Sequence, residues 1–290
     1  MNRFFLIDKP LSITSFDVIR ILRKKFNTRK MGHAGTLDPL ASGLLFVAVG
    51  EYTKLLHFFE HFDKKYRFTL ALDGNSDSFD LGTEVNYISK EKQAYYKKNI
   101  SKKDIETLIK NNFLGEHMQV PPKYSALKIG GKKALEKVRD GEIFEMKARN
   151  IHIYSMEIIH FDYPFLELEA KVSSGTYVRS IARDIGEALG CGGYVIRLER
   201  TQIGERLLKN MAKNLDSLEE NNFLKEEEIF GKEKIIQLDS ASLEKLNHGM
   251  KIENKNIKLE KNIPYFVENN DFITNVIKYD GAFIIPLRKI

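Results

Sequence analysis

A chain of 290 residues with 42% hydrophobic and 30% charged residues has the size and balance of a globular protein with one large domain or two unequal ones. Its one cysteine, Cys191, excludes an internal disulfide framework and a zinc site built from several cysteines, and it favours a reducing, cytoplasmic compartment. The longest purely apolar run, residues 44–49, is too short to cross a membrane as a helix.

Positive charge is concentrated in the first part of the chain. The net charge is +6, yet residues 211–290 hold 12 basic and 14 acidic residues, so residues 1–210 carry the whole excess. Residues 1–30 alone hold eight basic and two acidic side chains. Such a field attracts polyanions, of which nucleic acid is the commonest in a cell. Charge alone leaves a second interpretation open, namely a lysine-rich solvated surface.

The first 62 residues predict two helices around a loop and a buried strand. Thr14 and Asp17 match a capping box, after which apolar residues recur at helical spacing. A segment dense in Gly, Pro and Asp follows, then a continuous apolar run and a run rich in Phe and Leu. The predicted elements are a helix at 14–26, a loop at 29–43, a strand at 44–49 and a helix at 52–62.

The middle of the chain predicts two alternating strands and two further helices. Tyr66, Phe68 and Leu70 share one face of the first strand. Arg179 and Arg183 lie four residues apart, off the apolar stripe of the second helix. The predicted elements are a strand at 65–72, a polar turn at 73–83, a helix at 101–115, an extended segment from Pro121, a strand at 166–172 and a helix at 177–189.

The last part of the chain predicts a connection followed by a small β-rich unit. Residues 213–235 are rich in charge and predict a linker or an exposed helix. Residues 236–290 contain three short apolar runs, at 257–259, 265–267 and 283–287, which predict strands. Strands and helices are interspersed without regular βα alternation, which favours an α+β fold with a mixed, largely antiparallel central sheet flanked by helices.

Asp38 is the first candidate for chemistry. It lies in the glycine-rich loop of residues 32–45, directly before Pro39, which restricts Asp38 to extended backbone conformations. The glycines allow a ligand to approach the backbone. An Asp-Pro pair by itself most often only forms a turn. The chain has no glycine-rich motif for nucleotide phosphates and no His-Glu-x-x-His pattern, so we expect neither a nucleotide cofactor nor a metal.

The sequence Gly-His-Ala-Gly-Thr-Leu-Asp-Pro-Leu-Ala-Ser-Gly around Asp38 resembles the signature of the TruB family of tRNA pseudouridine-55 synthases. Further similar blocks follow in family order, across about residues 5–205. Two departures occur: Ser12 stands where the family usually has glycine, and the turn at 75–82 is not threonine-rich. The blocks are residues 9–15, 63–67, 121–133, 173–186 and 195–198.

The resemblance implies a pseudouridine-synthase fold and two domains. A catalytic domain would span residues 1–232, and residues 233–290 would form a small, divergent PUA-like domain, since this region matches the family poorly and lies within the net negative segment 211–290. The implied reaction isomerises uridine-55 in the T-loop of tRNA to pseudouridine. It needs no cofactor, and its partner is the T-arm of tRNA, bound by a monomer.

The resemblance also assigns site residues. Asp38 matches the family's catalytic aspartate, and Arg179 matches the arginine that pairs with it. Tyr66 matches the tyrosine that stacks on the flipped base and accepts the C5 proton.

Three further positions match the family's substrate-binding residues. His33 matches a histidine near the flipped nucleotide, whereas Tyr177 and Leu198 match positions that line the uracil pocket.

Two other functions remain as alternatives. The protein could be a non-catalytic RNA-binding or tRNA-folding module, although such a module has no need for the aspartate, tyrosine and arginine blocks together. It could also be a dyskerin-type enzyme that works in a guide-RNA complex, which the absence of long basic tails disfavours.

Overall fold

The computed structural model describes residues 2–254 and 257–290. The helices are α1 Ser15–Lys25, α2 His57–Glu60, α3 Lys90–Asn99, α4 Lys102–Asn112, α5 Ala134–Arg139, α6 Val178–Leu189, α7 Glu226–Phe230 and α8 Ser240–Asn247. The strands are β1 Arg3–Lys9, β2 Met31–Ala34, β3 Ala41–Val49, β4 Lys64–Ala71, β5 Gly74–Ser76, β6 Val85–Tyr87, β7 Gly115–Gln119, β8 Lys128–Ile129, β9 Lys132–Lys133, β10 Arg149–Asp162, β11 Phe165–Val172, β12 Tyr194–Ile203, β13 Leu207–Leu208, β14 Lys213–Asn214, β15 Ile235–Ile236, β16 Ile252–Glu253, β17 Pro264–Asn269, β18 Phe272–Tyr279 and β19 Phe283–Lys289.

A ten-stranded sheet forms the centre of the molecule. Its main path runs β14-β1-β3-β12-β4-β11-β10-β7, with β2 paired to β3 and β13 to β12. Only the β1–β14 and β3–β12 pairs are parallel. The prediction of a mixed, largely antiparallel sheet in an α+β fold is therefore confirmed.

Strand β3 explains the continuous apolar run in the sequence. Leu44, Phe46 and Ala48 pack into one core cluster, while Leu45 and Val47 pack into another on the opposite face. A strand alternates its side chains between faces, so a strand that is buried on both faces must be apolar throughout.

The helix caps form as the sequence predicts. At the start of α1, Thr14 Oγ1 accepts a hydrogen bond from the Asp17 amide, and the Asp17 carboxylate accepts one from the Thr14 amide. The helix then buries Val18, Ile19 and Leu22 against β1 and β3. Ser101 caps α4 through Asp104 in the same way.

A second sheet forms the β-rich C-terminal part. Its order is β15-β17-β18-β19-β16, and α8 packs against it. The second sheet shares a core with the first, since Phe4 of β1 and Phe266 of β17 belong to one buried cluster. In this cluster Phe266 stacks on Phe230 of α7, with 3.6 Å between ring centroids. No helix among residues 2–254 and 257–290 is long and apolar enough to span a bilayer.

Two predictions of local structure in the first 62 residues are wrong. The loop predicted at 29–43 contains β2, which pairs with Phe46–Val49 of β3, and the loop ends at Ala41. The helix predicted at 52–62 is a 3₁₀ segment, Gly50–Leu55, followed by the four-residue α2, because its aromatic residues pack around Phe4 rather than along one helical stripe.

The predicted linker is part of the core, and one predicted strand does not form. Leu218, Leu224 and Ile229, within residues 213–235, are buried in the clusters around β1 and β3. Residues 257–259 are not a strand, although the other two C-terminal runs are.

Candidate active site

The loop that carries Asp38 is held by hydrogen bonds from the segment before α1 and from its first turn. Ser15 is buried, and its Oγ accepts from the Leu37 amide at 2.8 Å and donates to the Leu37 carbonyl at 3.1 Å. The Ser12 amide donates to the Pro39 carbonyl at 2.8 Å. Ser12 has a φ of +70°, in the region that favours glycine. This backbone conformation explains why glycine is usual at this position in the family that the sequence resembles.

Arg179 binds Asp38 directly. Its Nη2 lies 2.9 Å from Asp38 Oδ2, and the guanidinium is buried in the first turn of α6. Nη1 and Nη2 also donate to the carbonyls of Ser78 and Tyr124, each at 2.9 Å. These bonds fix the guanidinium from two distant loops, so the orientation of the Asp38 carboxylate is set by the fold.

Asp80 is a third charged group at this site. Its Oδ2 lies 3.4 Å from Arg179 Nη1, and its Oδ1 accepts from Ser78 Oγ and the Gly82 amide. Asp80 is not among the predicted site residues, because the turn at 75–82 departs from the family pattern. The sequence signal that could have identified Asp80 is an aspartate shortly before a glycine, as in Asp80-Leu81-Gly82.

Opposing effects set the charge of Asp38. Burial raises the pKa of its carboxyl, the Arg179 guanidinium lowers it, and the neighbouring Asp80 carboxylate raises it. The side chain is still 37% exposed, so protein surrounds the carboxylate on one side and the cleft lies on the other.

The cleft next to Asp38 is a cavity of about 370 Å³. Tyr66 of β4, Tyr177 before α6 and Leu198 of β12 line it together with Asp38 and Arg179. The volume lies in the range of small-molecule sites, and an ion pair set against aromatic and aliphatic walls suits a flat, partly polar ligand.

His33 does not line this cavity. It lies on β2, paired with Val47, and its Nδ1 is buried without a hydrogen-bond partner among the described residues. Burial lowers the pKa of His33, and the charge of Arg200 lowers it further, so the neutral imidazole is favoured. The structure thus brings together five of the six residues that the sequence analysis singled out.

Arg200 supports the start of the loop that carries Asp38, and sequence reasoning missed it. It is 1% exposed, and it donates from Nε to the Leu44 carbonyl and from Nη2 to the Gly35 carbonyl, each at 2.8 Å. Gly43 lies against the Arg200 backbone, where a Cβ would come within 2.3 Å of the carbonyl oxygen. The close approach of β3 and β12 therefore requires glycine at position 43.

Arg200 acts on two buried lysines, Lys9 and Lys64. The pKa of Lys9 is lowered to about 8, mainly by burial, with Asp38 opposing and Arg200 adding to the decrease. The pKa of Lys64, which lines the cavity, is also lowered to about 8 by burial and then by Arg200.

Among the residues that the structure describes, no group of three or more His, Cys, Asp or Glu side chains is arranged to hold a metal.

The fold is that of the pseudouridine synthases. The chain matches a protein in the structure of an H/ACA RNP bound to a substrate RNA containing 2'-deoxyuridine, with a TM-score of 0.71 and 20% identity over 99% of this chain and 84% of that one. It matches a chain of a Cbf5-Nop10-Gar1 complex equally well.

Sequence comparison gives the family within this class. The TruB family pseudouridylate synthase N-terminal domain matches residues 23–178, and the tRNA pseudouridylate synthase B C-terminal domain matches residues 179–245. A tRNA pseudouridine synthase B of Clostridium tetani is 36% identical over 89% of this chain and 88% of its own length. One of Parabacteroides distasonis is 39% identical over 76% and 94%. The chain belongs to the TruB family of pseudouridine synthases, which are isomerases.

Proposed function

We propose that this protein converts uridine-55 in the T-loop of tRNA to pseudouridine. The observation that carries the proposal is the Asp38–Arg179 ion pair, 2.9 Å long, on the wall of a cavity that Tyr66, Tyr177 and Leu198 also line. The printed names of the relatives, tRNA pseudouridine synthase B, support tRNA as the substrate.

The reaction rearranges one nucleoside. The bond between N1 and C1′ breaks, the uracil turns, and a bond forms between C5 and C1′; C5 loses a proton and N1 gains one. Nothing is oxidised or reduced overall, so the atoms and electrons balance without a cofactor.

Asp38 is the proposed nucleophile. An ionised carboxylate can add to C1′ or to C6 of the uracil, and either route releases the base from its original bond. Arg179 favours this ionised form, because its guanidinium opposes the effect of burial on the Asp38 pKa.

Tyr66, Tyr177 and Leu198 are the proposed binding residues for the flipped base. A uridine inside a folded tRNA elbow is inaccessible, so it has to leave its stack to reach the carboxylate. Tyr66 then stacks on the base and accepts the C5 proton, while Tyr177 and Leu198 form the walls around the uracil. His33 lies outside the cavity, and we propose that it contacts the RNA that the uridine leaves.

We further propose two domains in a monomeric, cytoplasmic enzyme. A boundary at 232/233 is supported by the second sheet, which begins at Ile235, although the C-terminal family match extends only to residue 245. We retain the PUA-like assignment for residues 233–290 as part of this proposal. The monomeric state is part of the same proposal. The single buried cysteine fits a reducing compartment.

Release of tritium from a T-arm transcript labelled at C5 of uridine tests the function. Wild-type protein, with no other protein present, is expected to release tritium, and the release is expected to stop when position 55 of the transcript is cytidine. Asp38→Asn is expected to bind the transcript normally and release none. Asp77→Asn, which removes an exposed carboxylate near Asp80, is the matched control and is expected to keep the wild-type rate.

Three outcomes would contradict the proposal. Normal release by Asp38→Asn would exclude Asp38 as the nucleophile. Binding of the transcript without any release by wild-type protein would favour the RNA-binding or tRNA-folding module. Release that needs an added guide RNA would favour the dyskerin-type enzyme.

A further inference from the structure

Two residues that lie opposite each other on neighbouring strands contact Tyr177. Gln119 of β7 and Arg149 of β10 are directly paired in the antiparallel register. Gln119 is 1% exposed; its Nε2 donates to the Tyr177 carbonyl at 3.1 Å, and its Oε1 accepts from the Tyr177 amide at 2.8 Å. One side chain thus satisfies both backbone groups of Tyr177 and fixes the start of α6, where no side chain of Tyr177 itself provides a cap.

Arg149 contacts the ring of the same tyrosine. Its Cζ lies 4.9 Å from the centroid of the Tyr177 ring, within the range of a cation–π interaction. Its Nε and Nη2 are buried and have no hydrogen-bond partner among the described residues. Two buried guanidinium nitrogens without partners are costly, and the contact with the ring face accounts for the position of Arg149.

We propose that Arg149 and Gln119 are positioning residues for the isomerisation, acting through Tyr177. Gln119 fixes the backbone of Tyr177, and Arg149 fixes the plane of its ring, so that the ring forms a rigid wall for the flipped uracil. The inference rests on the proposed function, because it gives Tyr177 the base-binding role described there. A displacement of about 1 Å in a bound reactant can lower a rate by about 10²-fold, so a loose wall affects the chemical step more than RNA affinity.

Single-turnover tritium release tests this role with graded variants at Arg149. Arg149→Met keeps much of the side-chain volume and removes the charge, and we expect a rate about tenfold lower with T-arm affinity within twofold of wild type. Arg149→Lys keeps the cation and is expected to restore part of the rate. Lys251→Met is the matched control, since it removes a cation 4.0 Å from the Phe283 ring in the second sheet, and we expect no change.

A double-variant cycle separates positioning from general support of the strands. In a Tyr177→Leu background the ring is gone, so Arg149→Met is expected to cause no further loss. An equal loss in both backgrounds would overturn the proposal, as would a wild-type rate for Arg149→Met.

A measurement without RNA distinguishes a failure of this inference from a failure of the proposed function. With fluorotyrosine incorporated, the ¹⁹F resonance of Tyr177, assigned by its absence in Tyr177→Phe, is expected to shift or broaden in Arg149→Met and to stay unchanged in Lys251→Met. An unchanged Tyr177 resonance in Arg149→Met would overturn the role of Arg149. Failure of wild-type protein to release tritium would instead overturn the proposed function.

Discussion

The charge on Asp38 depends on neighbours from distant parts of the chain. Arg179 comes from α6, Asp80 from the turn before β6, and Lys9 from the end of β1, and the charge of each changes the pKa of the carboxyl. Burial opposes ionisation, so the pKa remains above its usual value even with Arg179 in contact. The reactivity of this one residue is therefore a property of its surroundings.

We predict that Asp80→Asn moves the acid limb of the pH–rate profile to lower pH. In the proposed mechanism only ionised Asp38 adds to the substrate, so we expect the rate to rise with pH through the Asp38 pKa. Removing the Asp80 carboxylate removes a contribution that raises this pKa, so ionisation occurs at lower pH. Asparagine keeps the acceptor oxygen for Ser78 and Gly82. The measurement is single-turnover release across pH, with Asp77→Asn as control; a limb that moves upward or stays fixed would contradict the assignment.

At the scale of elements, the start of α1 holds the loop that carries Asp38. The capping box at Thr14 begins the helix and leaves the next residue, Ser15, free to bind Leu37 through both its donor and its acceptor. Ser15 therefore connects α1, which the sequence predicts, to the loop that carries Asp38, whose conformation the sequence does not predict.

We predict that Ser15→Ala destabilises the protein and slows the reaction. The Leu37 amide would remain buried without a partner, which costs about 1–3 kcal/mol of unfolding free energy. The loop would also lose its anchor one residue before Asp38, so we expect a rate about tenfold lower.

Thermal unfolding and single-turnover release are the two measurements. The matched control is Ser101→Ala, which removes the cap of α4 and is expected to cost about 1 kcal/mol of unfolding free energy without affecting the rate. Equal rate losses in the two variants would show that Ser15 acts only through stability.

At the scale of the whole molecule, core packing joins the two sheets. The positive charge that would attract RNA lies in residues 1–210. Exposed basic residues of α1 and the following turn supply much of the positive excess, whereas residues 211–290 are slightly negative. The two sheets share an apolar core, and Tyr52 adds a polar junction between them. Its hydroxyl donates to Glu226 at 2.6 Å and accepts from the Ile273 amide at 2.9 Å.

We predict that tRNA binding weakens steeply with salt and that part of this dependence comes from Lys24 and Arg29. Each phosphate contact releases counterions, so the double variant Lys24→Ala/Arg29→Ala is expected to reduce the slope of log K against log salt by about two. Lys258→Ala, an exposed lysine in the C-terminal region, is the control and is expected to leave the slope unchanged. A flat salt profile for wild-type protein would exclude α1 as an RNA contact.

We predict that Tyr52→Phe lowers the unfolding free energy by about 1–3 kcal/mol while both sheets still unfold in one transition. The variant leaves the buried Ile273 amide without its acceptor, and the shared core couples the two sheets. Tyr279→Phe removes an exposed hydrogen bond to Gly281 and is the control, with little expected change. Two separate transitions in calorimetry would show that the second sheet unfolds on its own.

The sequence by itself determined the features that depend on neighbouring residues. The capping box of α1, the alternation in β4 and β11 and the continuous apolar run of β3 all follow from local spacing and backbone preference. The sequence blocks that resemble the family also identified five residues that the fold brings to one cavity. Local patterns alone do not encode the contacts among these residues.

Only the tertiary structure decided which distant groups meet. Arg179 binds carbonyls 101 and 55 residues away, and β2 forms only because β3 lies beside it. Four further residues contribute to the site or support it only because the order and register of the strands bring them there: Asp80, Arg200, Gln119 and Arg149. Periodicity reports which face of an element is buried but carries no information about the partner across it, so these contacts could not be read from the chain.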